Sequence, residues 1–212
     1  MQHRAFVYTE LQISVPFDQV PWQKVNQAIK EQPGFLNKTW LAGVGNQSAG
    51  GFYEFDTVEH ALSFVKEYFP AEARAFGVAQ TTRVFAAEAT EIASLEMNSP
   101  HYDGVLSQTP AAFVYTELQC QALPFVTAAP WRQLNPILKQ QAGLLAKTWL
   151  SGWQTGTPGG FYAFDSLENA KSFALDYFPR EAAALNSAFY TRIFDASASV
   201  AASRAMSSPY YR

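Results

Sequence analysis

The 212-residue chain has one cysteine, Cys120, so no disulfide can form within it. Only three histidines occur; His3, His60 and His101 fall in a terminus, a helical stretch and a tail. No His, Cys and carboxylate spacing suits convergent ligands, so neither a metal site nor a bound cofactor is expected. Charged residues are scarce, at 16%, and the net charge of −3 comes without any basic stripe. That argues against a nucleic-acid partner. Neither GxGxxG nor GxxxxGK is present, which removes the common phosphate loops. No apolar run approaches a membrane span, and the start, MQHRAFVYTELQ, has no signal-peptide core. The expectation is a soluble cytoplasmic protein without a membrane partner.

What the chain does have is aromatic mass: 17 Phe, 10 Tyr and 5 Trp within a 48% hydrophobic composition. That suits large interfaces and flat-ligand pockets alike. It also has a repeat. AFVYTELQ at 5–12 returns unchanged at 112–119, KTWLAG at 38–43 as KTWLSG at 147–152, and GGFYEFD at 50–56 as GGFYAFD at 159–165. YFPAEA at 68–73 returns as YFPREA at 177–182, TRVF as TRIF, and MNSPHY at 97–102 as MSSPYY at 206–211. The offset grows from 107 to 109 near the Pro16 and Pro124 loops. A period this long signals duplicated domains rather than a solenoid. The reading is a first module over 1–103, a linker over 104–111 and a second module over 112–212.

Within the first copy, FVYTELQI alternates and is rich in β-branched and aromatic residues, which predicts a strand. PWQKVNQAIKEQ carries apolar residues at helical spacing behind a proline, and Pro33-Gly34 stops it. FLNKTWLAG and FYEF are predicted strands. Asp56 or Thr57 caps a second helix that Pro70 is expected to end, with a short helical turn after it. TTRVFAA is the last strand, followed by a short helix at 89–97 and a Ser-Pro-aromatic tail. Cys120 reads as a buried strand residue, and Gly50-Gly51 as a bulge or a tight loop exit. The order β-α-β-β-α-β is the α+β ferredoxin-like split βαβ, whose helices cover one sheet face and leave the other wet. Two tandem modules packed sheet to sheet would bury both wet faces, an intramolecular dimeric α/β barrel favoured by high effective concentration. The assembly expected is a monomeric pseudo-dimer, with a further homodimer left open.

Pro33-Gly34-Phe35-Leu36, Lys38, Trp40, Ala49-Gly50-Gly51, Tyr53, Phe55 and Val84-Phe85 resemble the YdhR family of monooxygenase-like proteins in the dimeric α/β-barrel superfamily. The second copy repeats most of the pattern at Gly143, Leu145, Lys147, Trp149, Gly159-Gly160, Tyr162, Phe164 and Phe194. The resemblance implies two four-stranded sheets and a pocket either between each sheet and its helices or inside the barrel. It implies a choice among cofactor-free oxygenation of quinol-like aromatics, heme degradation, lactone isomerisation and no reaction at all. The family pattern is a single-copy homodimer, whereas this chain is a fusion. Tyr68-Phe69-Pro70 also stands where a more polar helix end is the family expectation.

Alternation sets Phe6, Tyr8, Glu10 and Gln12 on one face of the first strand and Val7, Thr9, Leu11 and Ile13 on the other. The first set, mixing aromatic and polar groups, reads as a pocket wall, with Lys38 and Trp40 placed on the matching face of the second strand. Arg83 is within reach of Glu10 from the neighbouring fourth strand. The candidate catalytic residues are therefore Tyr8, Glu10, Lys38 and Arg83, with Tyr115, Glu117, Lys147 and Arg192 as counterparts. Phe6, Trp40, Tyr53, Phe113, Trp149 and Tyr162 are the candidate ligand-binding residues. Lys38 or Arg83 would steady an oxyanion while Tyr8 and Glu10 handle protons. The same groups also read as a structural Glu–Arg pair within an aromatic core. The expected activity is cofactor-independent and monooxygenase-like, on a small aromatic or polyketide-like molecule. A non-catalytic ligand-binding or structural module and a lactone isomerase-type acid–base enzyme are the alternatives. Heme degradation with His60 as ligand comes last.

Overall fold

A computed structural model describes residues 3–120 and 129–212. Pro124 and its loop lie outside the described residues. The first copy builds a four-stranded antiparallel sheet from β1 (Ala5–Leu11), β2 (Phe35–Ala42), β3 (Ala49–Phe55) and β4 (Gln80–Ala86), in the order β2-β3-β1-β4. The second copy repeats it with β5 (Ala112–Leu118), β6 (Leu144–Ser151), β7 (Pro158–Phe164) and β8 (Phe189–Asp195), in the order β6-β7-β5-β8. These are two ferredoxin-like α+β modules.

In the first copy α1 (Trp22–Lys30) turns Val25, Asn26 and Ile29 inward, as the helical spacing predicts. Thr57, not Asp56, caps α2 (Val58–Ser63): its side chain accepts from the His60 N–H. Asp56 instead meets the His60 ring at 2.6 Å. Pro70 does not end the helix. A π turn over Phe64–Tyr68 lets the Phe69 N–H reach back to Phe64 O, and Pro70 then falls in the first turn of α3 (Phe69–Phe76), where its missing N–H costs nothing. The second copy does the same with α6 (Leu167–Ser172), a π turn at Phe173–Tyr177 and α7 (Phe178–Ala184). Among the described residues the other α-helices are α4 (Glu91–Glu96), α5 (Trp131–Leu138) and α8 (Val200–Arg204). No described helix is long and apolar enough to cross a membrane.

The chain divides into two compact units whose borders are not those of the repeats. Unit 1 is 1–86 with 196–212, and unit 2 is 87–195. The physical reason lies at the sheet edges. β2 and β6 are edge strands, and an edge strand leaves alternate backbone groups unpaired. In unit 1 the C-terminal tail supplies partners: Lys38 N–H donates to Met206 O at 3.1 Å, Trp40 N–H to Ser203 Oγ at 2.9 Å, and Ser199 Oγ to Trp40 O at 2.9 Å. In unit 2 the segment after β4 does the same for β6, through Lys147 N–H to Met97 O and Trp149 N–H to Ser94 Oγ. Asn26 ties this cover to the core of unit 1. Its Oδ1 accepts from Trp40 Nε1 at 2.8 Å while its Nδ2 donates to Ala202 O at 3.3 Å. Asn135 repeats this with Trp149 and Ala93.

Three local readings change. Gly50 and Gly51 lie in regular register within β3, and the irregularity in that pairing falls at Phe35/Asn37 instead. Cys120 lies past the end of β5 and is half-buried rather than inside a strand. His101, expected at the surface, is 6% exposed in the Pro100–Tyr102 turn of unit 2, where that turn packs on β6.

Candidate functional site

The register splits the candidate residues between the two faces of the first sheet. Val7 and Lys38 both lie opposite Tyr53, and Thr9 and Trp40 both lie opposite Gly51. Lys38, Trp40 and Tyr53 therefore share a face with Val7, Thr9 and Leu11, the one that meets α2 and α3. Phe6, Tyr8 and Glu10 point the other way, together with Arg83, which lies opposite Tyr8. The expectation that Lys38 and Trp40 line a wall with Tyr8 and Glu10 fails for this reason. Alternation along one strand fixes its own two faces, but the phase between strands depends on register, which the loop and the irregularity at Phe35/Asn37 set.

On the Tyr8 face the side chains bond among themselves. Tyr8 Oη donates to Glu10 Oε2 at 2.5 Å, and Gln12 and Asn46 donate to Glu10 Oε1 at 2.8 and 3.3 Å. Phe6 stacks on Phe52 with centroids 5.3 Å apart, and Arg83 Nη1 donates to Thr82 O. The register sets Glu10 opposite Thr81 rather than Arg83. In the second copy Tyr115 donates to Glu117 at 2.7 Å, Phe113 stacks on Phe161, and Arg192 lies over Tyr190.

The helix-facing side holds a cavity of about 210 Å³, entirely within unit 1. Leu11, Val20, Val25 and Phe69 give it apolar walls, and half-open Val15 and Phe76 lie at its solvent side. Its polar groups are Lys38, Tyr53, Gln19, Glu72 and the Trp40 ring. Lys38 is 1% exposed, with Nζ 2.9 Å from the Trp40 ring centroid and 4.8 Å from that of Tyr53. Burial drives its pKa well below the lysine range, and the attraction of Glu72 only partly opposes this. Burial, then the charge of Glu72, holds the Tyr53 hydroxyl protonated well above its usual range; Thr9 Oγ1 lies 3.4 Å from it. Tyr68, on the π turn, is pushed up by burial and by its hydrogen bond to Glu72. Glu72 Oε2 is buried with no hydrogen-bond partner among the described residues.

Sequence reasoning missed Glu72 and Tyr68. The signal was present in YFPAEA, repeated as YFPREA, which keeps a Tyr and a Glu one helical turn apart. The second unit carries the whole set. Lys147 Nζ is 2.8 Å from the Trp149 centroid, with its pKa lowered by burial. The Tyr177 hydroxyl is pushed up to about 12 by burial and Glu181, and the carboxyl of Glu181 is itself raised by burial.

Gly51 makes room for this arrangement. A Cβ there would stand 2.5 Å from Lys38 Cε and 2.6 Å from the Tyr53 ring. Gly51→Ala is expected to cost about 1–3 kcal/mol by overpacking, read as a lowered thermal midpoint. No group of three or more His, Cys, Asp or Glu able to hold a metal occurs among the described residues. His60 is engaged with Asp56.

The fold and site define a tandem ferredoxin-like protein with a buried amine facing an apolar cavity between a sheet and its helices. Residues 11–95, within the first copy, match the family model described as "Putative mono-oxygenase ydhR". No curated protein sequence matches the chain. Among solved structures, an anthrone oxidase-like protein is similar at 13% identity, covering 92% of this chain and 91% of its own, with a TM-score of 0.59. A mutant chlorite dismutase from Candidatus Nitrospira defluvii is similar at 9% identity, over 94% and 95% of the two chains, with a TM-score of 0.56. A protein described as "Putative monooxygenase" from Fusobacterium nucleatum subsp. nucleatum is similar at 9% identity, over 92% of each chain, with a TM-score of 0.51. At these identities the likeness is one of fold.

Proposed function

We propose that the unit 1 cavity binds a small aromatic or polyketide-like molecule with an acidic O–H, and that Lys38 takes up that proton. The buried amine of Lys38 between Trp40 and Tyr53, opening on a largely apolar cavity, carries this reading. Burial disfavours the charged amine, so the neutral form acts first as a base; the ammonium so formed then holds the phenolate or enolate that it created. An electron-rich anion of this kind reduces oxygen without a cofactor. A ring CH₂ becomes a carbonyl, one oxygen atom staying in the product and the other leaving as water. A dry cavity and one cation near the oxyanion are all that this chemistry asks of the protein. The ydhR family match and the anthrone oxidase-like neighbour support the same class.

The test is oxygen consumption by the full-length protein with hydroxylated anthrone- and quinol-type compounds. Turnover above the spontaneous rate, lost in Lys38→Met, supports the proposal. Spontaneous rates throughout, with no binding of these compounds by calorimetry, would reject it. The tyrosine and glutamate of the other face, Tyr8 and Glu10, are proposed as support for the sheet rather than as proton handlers, because they bond to each other.

A second reading has its own observation. Glu72 Oε2, buried in the same cavity wall without a partner, is a carboxylate available for acid–base work on a lactone. Isomerisation of unsaturated lactones, abolished by Glu72→Gln, would favour it.

A further inference from the structure

We propose that Lys38 is a carbonyl-trapping amine, and that aldehydes or ketones on a compact apolar or aromatic body condense with it as imines inside the unit 1 cavity. This is a separate activity from proton uptake; it rests on the same buried amine and cavity and adds Glu72 as a proton carrier.

Three features carry it. The first is access with concealment: Lys38 lines a cavity of about 210 Å³ yet is 1% exposed, so a carbonyl reaches Nζ only after leaving water. Imines hydrolyse in water, and a dry site keeps them. The second is freedom from ion pairing. Among the described residues no carboxylate lies within 4.0 Å of Nζ, which sits instead over the face of Trp40. Buried lysines held in apolar surroundings are the ones whose lone pair is available for Schiff-base chemistry, and the lowered pKa agrees with this. The third is a proton carrier in the same cavity. Glu72 lines it, interacts electrostatically with Lys38, accepts from Tyr68 and leaves Oε2 without a partner.

The step balances without an oxidant. The Nζ lone pair adds to the carbonyl carbon, and the C–O π electrons move to oxygen. One N–H proton passes by way of Glu72 to that oxygen, giving a carbinolamine. Glu72 takes a proton from solvent and gives it to the hydroxyl, which departs as water while the nitrogen lone pair forms C=N; the second N–H proton then passes to the Glu72 carboxylate and back to solvent, leaving the neutral imine. The amine thus gives up two hydrogens, the carbonyl its oxygen, and one water is released. Ligands suited to the site carry one carbonyl on a body of one or two rings, given the cavity volume.

The experiment incubates the full-length protein at pH 7 with benzaldehyde and sodium cyanoborohydride, then maps adducts by peptide mass spectrometry. Lys24, Lys30, Lys66, Lys139 and Lys171 are all exposed and serve as internal references. The expected result is labelling of Lys38 at least tenfold above these five. Its rate should fall less steeply than theirs as pH drops from 9 to 7, since burial disfavours its ammonium while surface amines are protonated there. Lys38→Met, which keeps an unbranched apolar stem but not the nucleophile, should lose the Lys38 adduct and show the surface labelling unchanged while melting at or above the wild-type temperature. A second arm separates this proposal from the preceding one. Glu72→Gln should slow adduct formation several-fold without removing label from Lys38. Labelling of Lys38 at or below the level of the exposed lysines, or a pH dependence equal to theirs, overturns the proposal whether or not the oxygen assay succeeds.

Discussion

Replacing Lys38 by Met is expected to abolish ligand-dependent oxygen consumption, by about 10²-fold or more, while making the protein more stable at pH 7. The loss follows from removing the one amine that faces the cavity, since groups that stabilise a developing oxyanion commonly carry effects of this size. The gain follows from desolvation. Burial is the dominant influence on Lys38 and outweighs the attraction of Glu72, so the folded state resists the charged form. In the unfolded chain the amine keeps its proton up to its ordinary value near 10.5. Between the lowered folded value and 10.5 the unfolded state binds more protons, so wild-type stability rises with pH across that window. Methionine has nothing to titrate. Its advantage, about 1–3 kcal/mol near neutrality, should shrink as pH climbs towards 10.5. Tyr53, held protonated by burial, lowers stability above pH 10 in both proteins and cancels from the difference. Denaturant melts of the two proteins at pH 7 and pH 9.5 check this. Equal stabilities at both pH values would mean that Lys38 is not a strained group.

Removing residues 196–212 is expected to be the most damaging truncation that leaves every strand in place. Those residues supply the acceptors for Lys38 N–H and Trp40 N–H, the donor for Trp40 O and the carbonyl for Asn26. Each buried group left without a partner costs about 1–3 kcal/mol, so unit 1 should lose roughly 5 kcal/mol, a fall of about 20–40 °C in its thermal midpoint. Unit 2, whose residues 87–195 are all retained, should keep its own transition. Ser203→Ala isolates one part of this, leaving Trp40 N–H without its acceptor at a cost of about 1–3 kcal/mol. Calorimetry of the truncated chain reads both. A single unchanged transition would show that the tail does not hold β2.

Much of the fold was legible because its signals are local. Exact return of AFVYTELQ exposed the duplication, and alternation with turn residues set the strands and their order around β1. What escaped was non-local. Nothing in MNSPHY or MSSPYY says which sheet edge the tail will cover, because Ser94 and Ser203 reveal their role only beside the unpaired groups of Trp149 and Trp40. The site was legible by residue type more than by position. Lys38, Trp40 and Tyr53 were singled out and do meet, but the register sends Tyr8, Glu10 and Arg83 to the opposite face. Glu72 went unnoticed because a glutamate after Pro70 reads as the solvated side of a fading helix. The π turn at Phe64–Tyr68, which carries the helix past that proline, has no sequence rule comparable to a cap.

The proposed ligand site is the cavity between the first sheet and its helices, with Lys38 as its polar anchor. A crystal structure of the full-length protein with a bound hydroxyanthrone is the decisive test. The ring system is expected between Leu11, Val25 and Phe69, with its oxygen within 3.2 Å of Lys38 Nζ. Ligand density on the Tyr8 and Glu10 face, with this cavity empty at saturating concentration, would contradict it.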